Sequence, residues 1–271
     1  MIETIKQRTI KFFQEDNGLR WLILVAMFIA SFGIRSYNAI TEPYHEFHVR
    51  QYHSLIIARG YYYEAADFPE EETNIAVLNR DRMSFVEPRV TEFFVAQLYR
   101  LIGREIAWLP NIVVSVFWLI GGIAVYLLAR ELGSEDAAIF ATAFYLFLPH
   151  GVLEGNNFQP DPLMMMFLLW SVYALLRYTE TPTTKTLLIA SALSGIAIFV
   201  KLQSGFFIMM AFLALSIYRM GLRKTLLNRD SYIFGVIAVT PVILYLIYGF
   251  QHGFFENETT GRFLPQLWLE P

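Results

Sequence analysis

The sequence predicts an all-α, polytopic membrane protein: a single domain over residues 1–271, with about seven spans and a large first outer loop bearing surface helices. Three observations carry this. Hydrophobic residues make up 55% of the 271-residue chain and charged residues 17%, with a mean hydropathy of +0.42, too apolar for an ordinary soluble domain. Apolar runs of near-bilayer length recur along it between short polar breaks. Basic residues concentrate in alternate breaks, as the positive-inside rule requires. No repeat, linker or low-complexity tract divides the chain. A net charge of -3 gives no electrostatic footprint for nucleic acid. The absence of cysteine excludes disulfides and thiolate metal sites.

Residues 1–20 read as a cytoplasmic amphipathic lead-in without a small-residue cleavage site, so the first apolar segment is expected to be retained. That segment lies near 19–37, and its apolar run is followed by Arg35. The outer loop, 38–107, opens on 43–63, which gathers His45, Glu46, His48, Arg50, His53 and Arg59 beside the membrane. Ionisable groups are costly to keep partly desolvated there. The stretch is therefore either a functional site or an interfacial amphipathic helix whose polar face is wet.

Tyr61, Tyr62 and Tyr63 read as membrane-belt residues, and an acidic patch of Asp67, Glu70, Glu71 and Glu72 follows them. Further on, Val90, Phe93, Phe94, Leu98 and Leu101 recur at helical spacing, with Glu92, Gln97 and Arg100 between them. This predicts a helix lying along the membrane surface, started by Glu87-Pro88. The remaining spans are expected near 108–129, 137–150, 162–178, 186–201, 204–219 and 231–250, with a turn at 201–205 parting the fifth from the sixth.

Orientation follows from the short loops. With the N-terminus inside, the inner segments carry Lys6, Arg8, Lys11, Arg130, Arg177, Lys185, Arg219, Arg223, Lys224 and Arg229, while the short outer turns carry Lys201. The N-terminus is thus expected in the cytoplasm and the large loop outside, in the plasma (inner) membrane.

That topology brings Glu46, Asp161 and Lys201 to the outer ends of helices, where they could line one cavity. Two carboxylates and a cation at a membrane surface suit a phosphate-bearing lipid substrate. One carboxylate takes a proton from a nucleophile, and the cation neutralises a leaving phosphate. Simpler readings stand beside this. Asp161 could be the N-cap of the fourth span with Pro162 at its first position, and Lys201 could snorkel from a helix end. Arg50 and Arg59 could bind phosphate or pair with nearby acids. The sequence names no certain cofactor. A divalent metal held by His45, His48 and His53 is an alternative, although HEFH is one residue short of the HExxH spacing.

Four places then resemble the polyprenyl-phosphate-sugar-dependent glycosyltransferases of the GT-C fold, the group that holds protein O-mannosyltransferases and aminoarabinose transferases. They are HEFHVRQ at 45–51 followed by Ile57-Ala58-Arg59, Glu87-Pro88 with Glu92-Phe93-Phe94, YLLARELG at 126–133, and Gln159-Pro160-Asp161-Pro162-Leu163. The resemblance implies a GT-C-like transmembrane module, either an N-terminal portion or a compact minimal module, because family members continue through further spans. It also implies transfer of a sugar from a polyprenyl-phosphate donor to a lipid, glycan or protein hydroxyl on the outer face. By matching position it makes Glu46 the catalytic base and gives Asp161 a supporting catalytic role. Lys201 falls on the lipid phosphate, with Arg50, Arg59, His48 and Gln51 as further substrate contacts. Glu46 stands where bacterial members usually carry Asp. Asn156 and Asn157 stand where they tend to carry Arg. The alternatives to an enzyme are a flippase for a lipid-linked sugar and a non-catalytic scaffold or truncated module.

Overall fold

A computed structural model describes residues 17–40, 48–83 and 87–254. Twelve α-helices lie among the described residues. They are α1 (Asn17–Ile40), α2 (His48–Ala65), α3 (Glu70–Asp81), α4 (Val90–Ile102), α5 (Leu109–Leu132), α6 (Glu135–Phe147), α7 (Pro149–Glu154), α8 (Asp161–Glu180), α9 (Thr184–Val200), α10 (Ser204–Met220), α11 (Leu222–Leu227) and α12 (Arg229–Gln251).

Helix ends follow local chemistry. Ser134 Oγ accepts from the Ala137 amide to open α6, Thr183 and Thr186 form a reciprocal capping box at α9, and Asn228 accepts from Asp230 at α12; each satisfies amides the first turn leaves unpaired. Gly103 ends α4 at a φ of 78°, a left-handed conformation that glycine reaches without a Cβ clash.

Of the seven expected spans, α1, α5, α8 and α12 are long and apolar enough to cross a membrane. Helices α9 and α10 are apolar but have 17 residues each, or about 26 Å. The third expected span, 137–150, falls on α6 and the start of α7: α6 has 13 residues, about 20 Å, less than the roughly 30 Å hydrocarbon core. Pro149 causes the break. It cannot continue the α6 ladder, and it opens the six-residue α7. Carbonyls on both sides of this break are met by Arg35 of α1, fully buried, which donates to Leu146 O at 3.1 Å and Gly151 O at 3.0 Å. A cation inside a bundle is costly unless such groups receive it.

Packing runs through neighbours α1, α5, α8, α9 and α12, with α6 against α1 and α5, and α10 against α8. Small residues set the closest approach. Ala190 with Ser194 and Ser191 with Gly195 make two pairs four residues apart on α9, and a Cβ added at Gly195 would stand 3.2 Å from Ile237 O of α12. In lipid, where burial alone does not drive helices together, such contacts supply the association. The bundle has two polar ends. At one, Arg20 pairs with Glu135, Arg177 with Glu131, and Tyr178 donates to Asp230. At the other lie α2, α3 and α4, the 148–161 segment and the turn at Lys201.

The outer-loop helices form a packed unit of their own, with α2 between α3 and α4. Tyr62 and Tyr63 are 3% and 9% exposed and pack on Phe68 and Tyr99; two of the three expected belt residues are core. Their edge-on and stacked rings supply a large apolar contact that a short loop would otherwise lack. Helix α2 is accordingly more than an amphipathic helix with a wet face. It buries Gln51, Ser54, Ile57, Ala58 and Gly60 as well.

Candidate functional site

On α2, Arg50, His53, Ser54 and Ile57 stand at i, i+3, i+4 and i+7, so one helix face presents them together. That face forms one wall of a cavity of about 300 Å³. Glu87, Pro88, Arg89 and Glu92 make the opposing wall, and Gln159 and Pro160, leading into α8, close its end.

Beside the cavity four charges converge. Lys201 Nζ donates to both Asp161 oxygens, at 2.7 and 2.9 Å, and lies 3.6 Å from Glu87 Oε1. Arg50 lies 3.6 Å from Asp161 Oδ2 and 3.8 Å from Glu87 Oε1. The cluster is neutral as a whole, two cations against two carboxylates. Its arginine is the open member, with a side chain 52% exposed against 6% for Lys201.

This arrangement corrects two local readings. Lys201 does not snorkel: it is buried and turned back onto Asp161, because the extended backbone that ends α9 directs it there. Asp161 is not an N-cap. It is the first helical residue, Pro160 holds the cap position without a side-chain cap bond, and the carboxylate is spent on Lys201. Lys201 thus comes to the cavity already paired. Glu87 likewise does more than precede a helix. It joins the cluster, while α4 begins at Val90.

A second, uncharged network holds the 156–160 segment. Gln51 Nε2 donates to Asn157 Oδ1 at 3.0 Å, Asn111 Nδ2 to Gln51 Oε1 at 3.4 Å, and Ser115 Oγ to Asn156 Oδ1 at 3.1 Å. Gln159 donates to Glu154, whose other oxygen lies 3.9 Å from His150. The two asparagines therefore anchor the backbone that carries Asp161, by side-chain hydrogen bonds from Gln51 of α2 and Ser115 of α5.

Other site residues fall elsewhere. Glu46 and His45 lie outside the described residues. His48 opens α2 and is exposed. Arg59 stands two and a half turns beyond Arg50, about 13 Å along the helix. There it pairs with Glu105 at 3.4 Å and Tyr63, in a separate groove with Glu72 and Asn79, so it is not part of the cluster. Among the described residues no three His, Asp or Glu side chains converge to hold a metal.

Sequence reasoning missed Glu92 as a site residue. It lies on α4's buried face with Thr91, Val95, Ala96 and Tyr99. Its signal was present but subtle: on a helix whose large apolar side chains stand exposed, the polar residue between them faces protein. Burial pushes the Glu92 carboxyl above the usual range, against the opposing effects of the Ser54 hydroxyl and the Arg89 charge. Burial also raises Glu105, with Arg59 opposing. It raises Glu154, where the Asp161 charge adds to it.

A stability prediction follows with a definite sign. The folded protein holds the Glu92 proton above the ordinary 4.5 at which the unfolded chain releases it, so stability falls as pH rises from that value toward the folded one. Glu92→Gln should reduce this fall, seen as a flatter melting temperature between about pH 5 and 8. The slope shrinks rather than vanishes, because Glu105 and Glu154 contribute with the same sign. An unchanged slope would mean that Glu92 is ionised in the fold.

A family model described as dolichyl-phosphate-mannose-protein mannosyltransferase matches residues 86–248, more than half of the chain. The match takes in Glu87, Glu92, Asp161 and Lys201. No curated protein and no solved structure matches the chain.

Proposed function

The chain belongs to the dolichyl-phosphate-mannose-protein mannosyltransferase family, and from that premise we propose that it moves a sugar from a polyprenyl-phosphate donor to a hydroxyl of a lipid, glycan or protein on the outer face of the plasma (inner) membrane. Membership makes it a membrane glycosyltransferase of mannosyltransferase type, in keeping with four helices long and apolar enough to span. The observation that supports the finer reading best is the cluster of Arg50, Glu87, Asp161 and Lys201 set beside a cavity at one end of those helices. A lipid-linked sugar phosphate needs its charged centre at such a boundary, with its chain left in the hydrocarbon.

In this reaction the acceptor oxygen bonds to the anomeric carbon as the bond from that carbon to the phosphate oxygen breaks. The acceptor proton goes to Glu46, and the bonding pair leaves on the polyprenyl phosphate. Attack from the side opposite the leaving group inverts the anomeric centre. Arg50, half open to the cavity, meets the developing phosphate charge. Asp161 and Glu87 hold Lys201 and Arg50 in place, so that the cationic side of the site is preorganised rather than gathered during the reaction.

The test is sugar transfer by membranes containing the full chain, given labelled polyprenyl-phosphate sugars and scored for label in lipid, glycan and protein fractions. Label transferred with inverted anomeric configuration is the expected result. Retained configuration would exclude the single displacement. Donor bound without any transfer would favour a lipid-sugar binder or scaffold.

A further inference from the structure

The seam where the α2 and α4 walls of the cavity meet has no task in the transfer chemistry. There Ser54 of α2 donates to Glu92 Oε1 of α4 at 2.7 Å, and both residues line the cavity beside Arg50 and His53. Glu92 is 5% exposed, and its second oxygen, Oε2, is buried with no hydrogen-bond partner. Packing does not call for this arrangement. An apolar side chain would fill the contact between α2 and α4, as Val95 and Ala96 do one turn on, without an orphaned oxygen.

We propose that Glu92 is the residue that reads the donor's sugar, its carboxyl and the Ser54 hydroxyl together receiving a sugar hydroxyl in the cavity. This rests on the glycosyltransferase reading above. A protonated carboxyl offers one donor and one acceptor, the complement of what a sugar hydroxyl offers. Burial favours that protonated form. The terminal torsion of a glutamate is soft, so the carboxyl can turn Oε2 toward a ligand while its other oxygen keeps Ser54.

The space agrees. A cavity of about 300 Å³ is at the small end for ligand sites and suits a sugar ring rather than a prenyl chain. The chain has a surface close by: Phe93 and Phe94, the next two residues of α4, are 52% and 44% exposed. One helix thus turns its polar side to the sugar and its aromatic side to the lipid.

The test is binding of two probes to the full chain in nanodiscs: a short-chain polyprenyl phosphomannose, and the same polyprenyl phosphate without sugar. Wild type should favour the sugar-bearing probe by about tenfold, and Glu92→Leu should lose that preference while its affinity for the bare phosphate stays unchanged. Glu92→Gln keeps a donor and an acceptor and should hold the preference to within about threefold. A Glu92→Leu protein that loses both probes together marks a purely structural role and overturns the proposal. So does a preference that survives in Glu92→Leu, or a Gln variant that behaves like Leu. If wild type binds both probes equally, the proposal falls and the transferase reading stands. If it binds neither, both fall.

Discussion

Glu46→Gln is expected to lower sugar transfer by about 10²- to 10⁴-fold, the usual worth of a positioned general base, while the polyprenyl-phosphate sugar still binds. The amide keeps the size of the side chain and removes its capacity to accept a proton. Glu46 lies outside the described residues, two positions ahead of α2, whose Arg50, His53, Ser54 and Ile57 line the cavity. The assignment to the base therefore rests on its place in the chain and on the family pattern. Glu46→Asp, shorter by one methylene, should retain part of the activity with a displaced base. Full transfer by the Gln variant would end the assignment and direct attention to Glu87 or Glu154, the other carboxyls near Asp161.

The second large effect is on stability. Lys201→Met should cost about 3 kcal/mol, because removing one partner of a buried pair strands the other. Asp161 would be left with Arg50 at 3.6 Å as its remaining cation, and Glu87 would lose Lys201 as well. Adding Asp161→Asn should recover much of the loss, since the double variant keeps Arg50 with Glu87 and strands no charge. Thermal unfolding of the four proteins in detergent gives the coupling directly. Purely additive losses would mean that the pair contributes nothing to the fold. Donor binding separates the two roles of Lys201. An affinity restored in the double variant marks a positioning residue, whereas one that stays low marks a direct phosphate contact.

How far the sequence reached differs from one helix to the next. Spans longer than the bilayer were legible because their hydropathy does not depend on neighbours, as α5 and α12 show. The end of α6 was less legible, because apolar residues run up to Pro149 and only the chain's turn there shows that the helix stops at Phe147. Helix α4 was readable in spacing but not in its buried face. Phe93 and Leu101 are 52% and 82% exposed whereas Glu92 is 5% exposed, the inverse of a helix in water. Periodicity locates an apolar stripe; it does not say whether lipid or protein receives it. Tyr62 and Tyr63 failed for the related reason that aromatic rings suit a membrane interface and a packed core equally well.

The sequence by itself determined the helical membrane class, the alternation of basic loops, the turn at Lys201 and the concentration of ionisable residues after the first span. Each of these is a property of composition or of nearest neighbours along the chain. Tertiary structure alone decided that Lys201, 40 residues beyond Asp161, bonds to it, that Glu87 completes the cluster, that Arg59 stands apart from Arg50, and that Ser54 bonds to Glu92 at the cavity. Charges choose partners by distance and by the loss of competing water, and both are set only when the helices have packed.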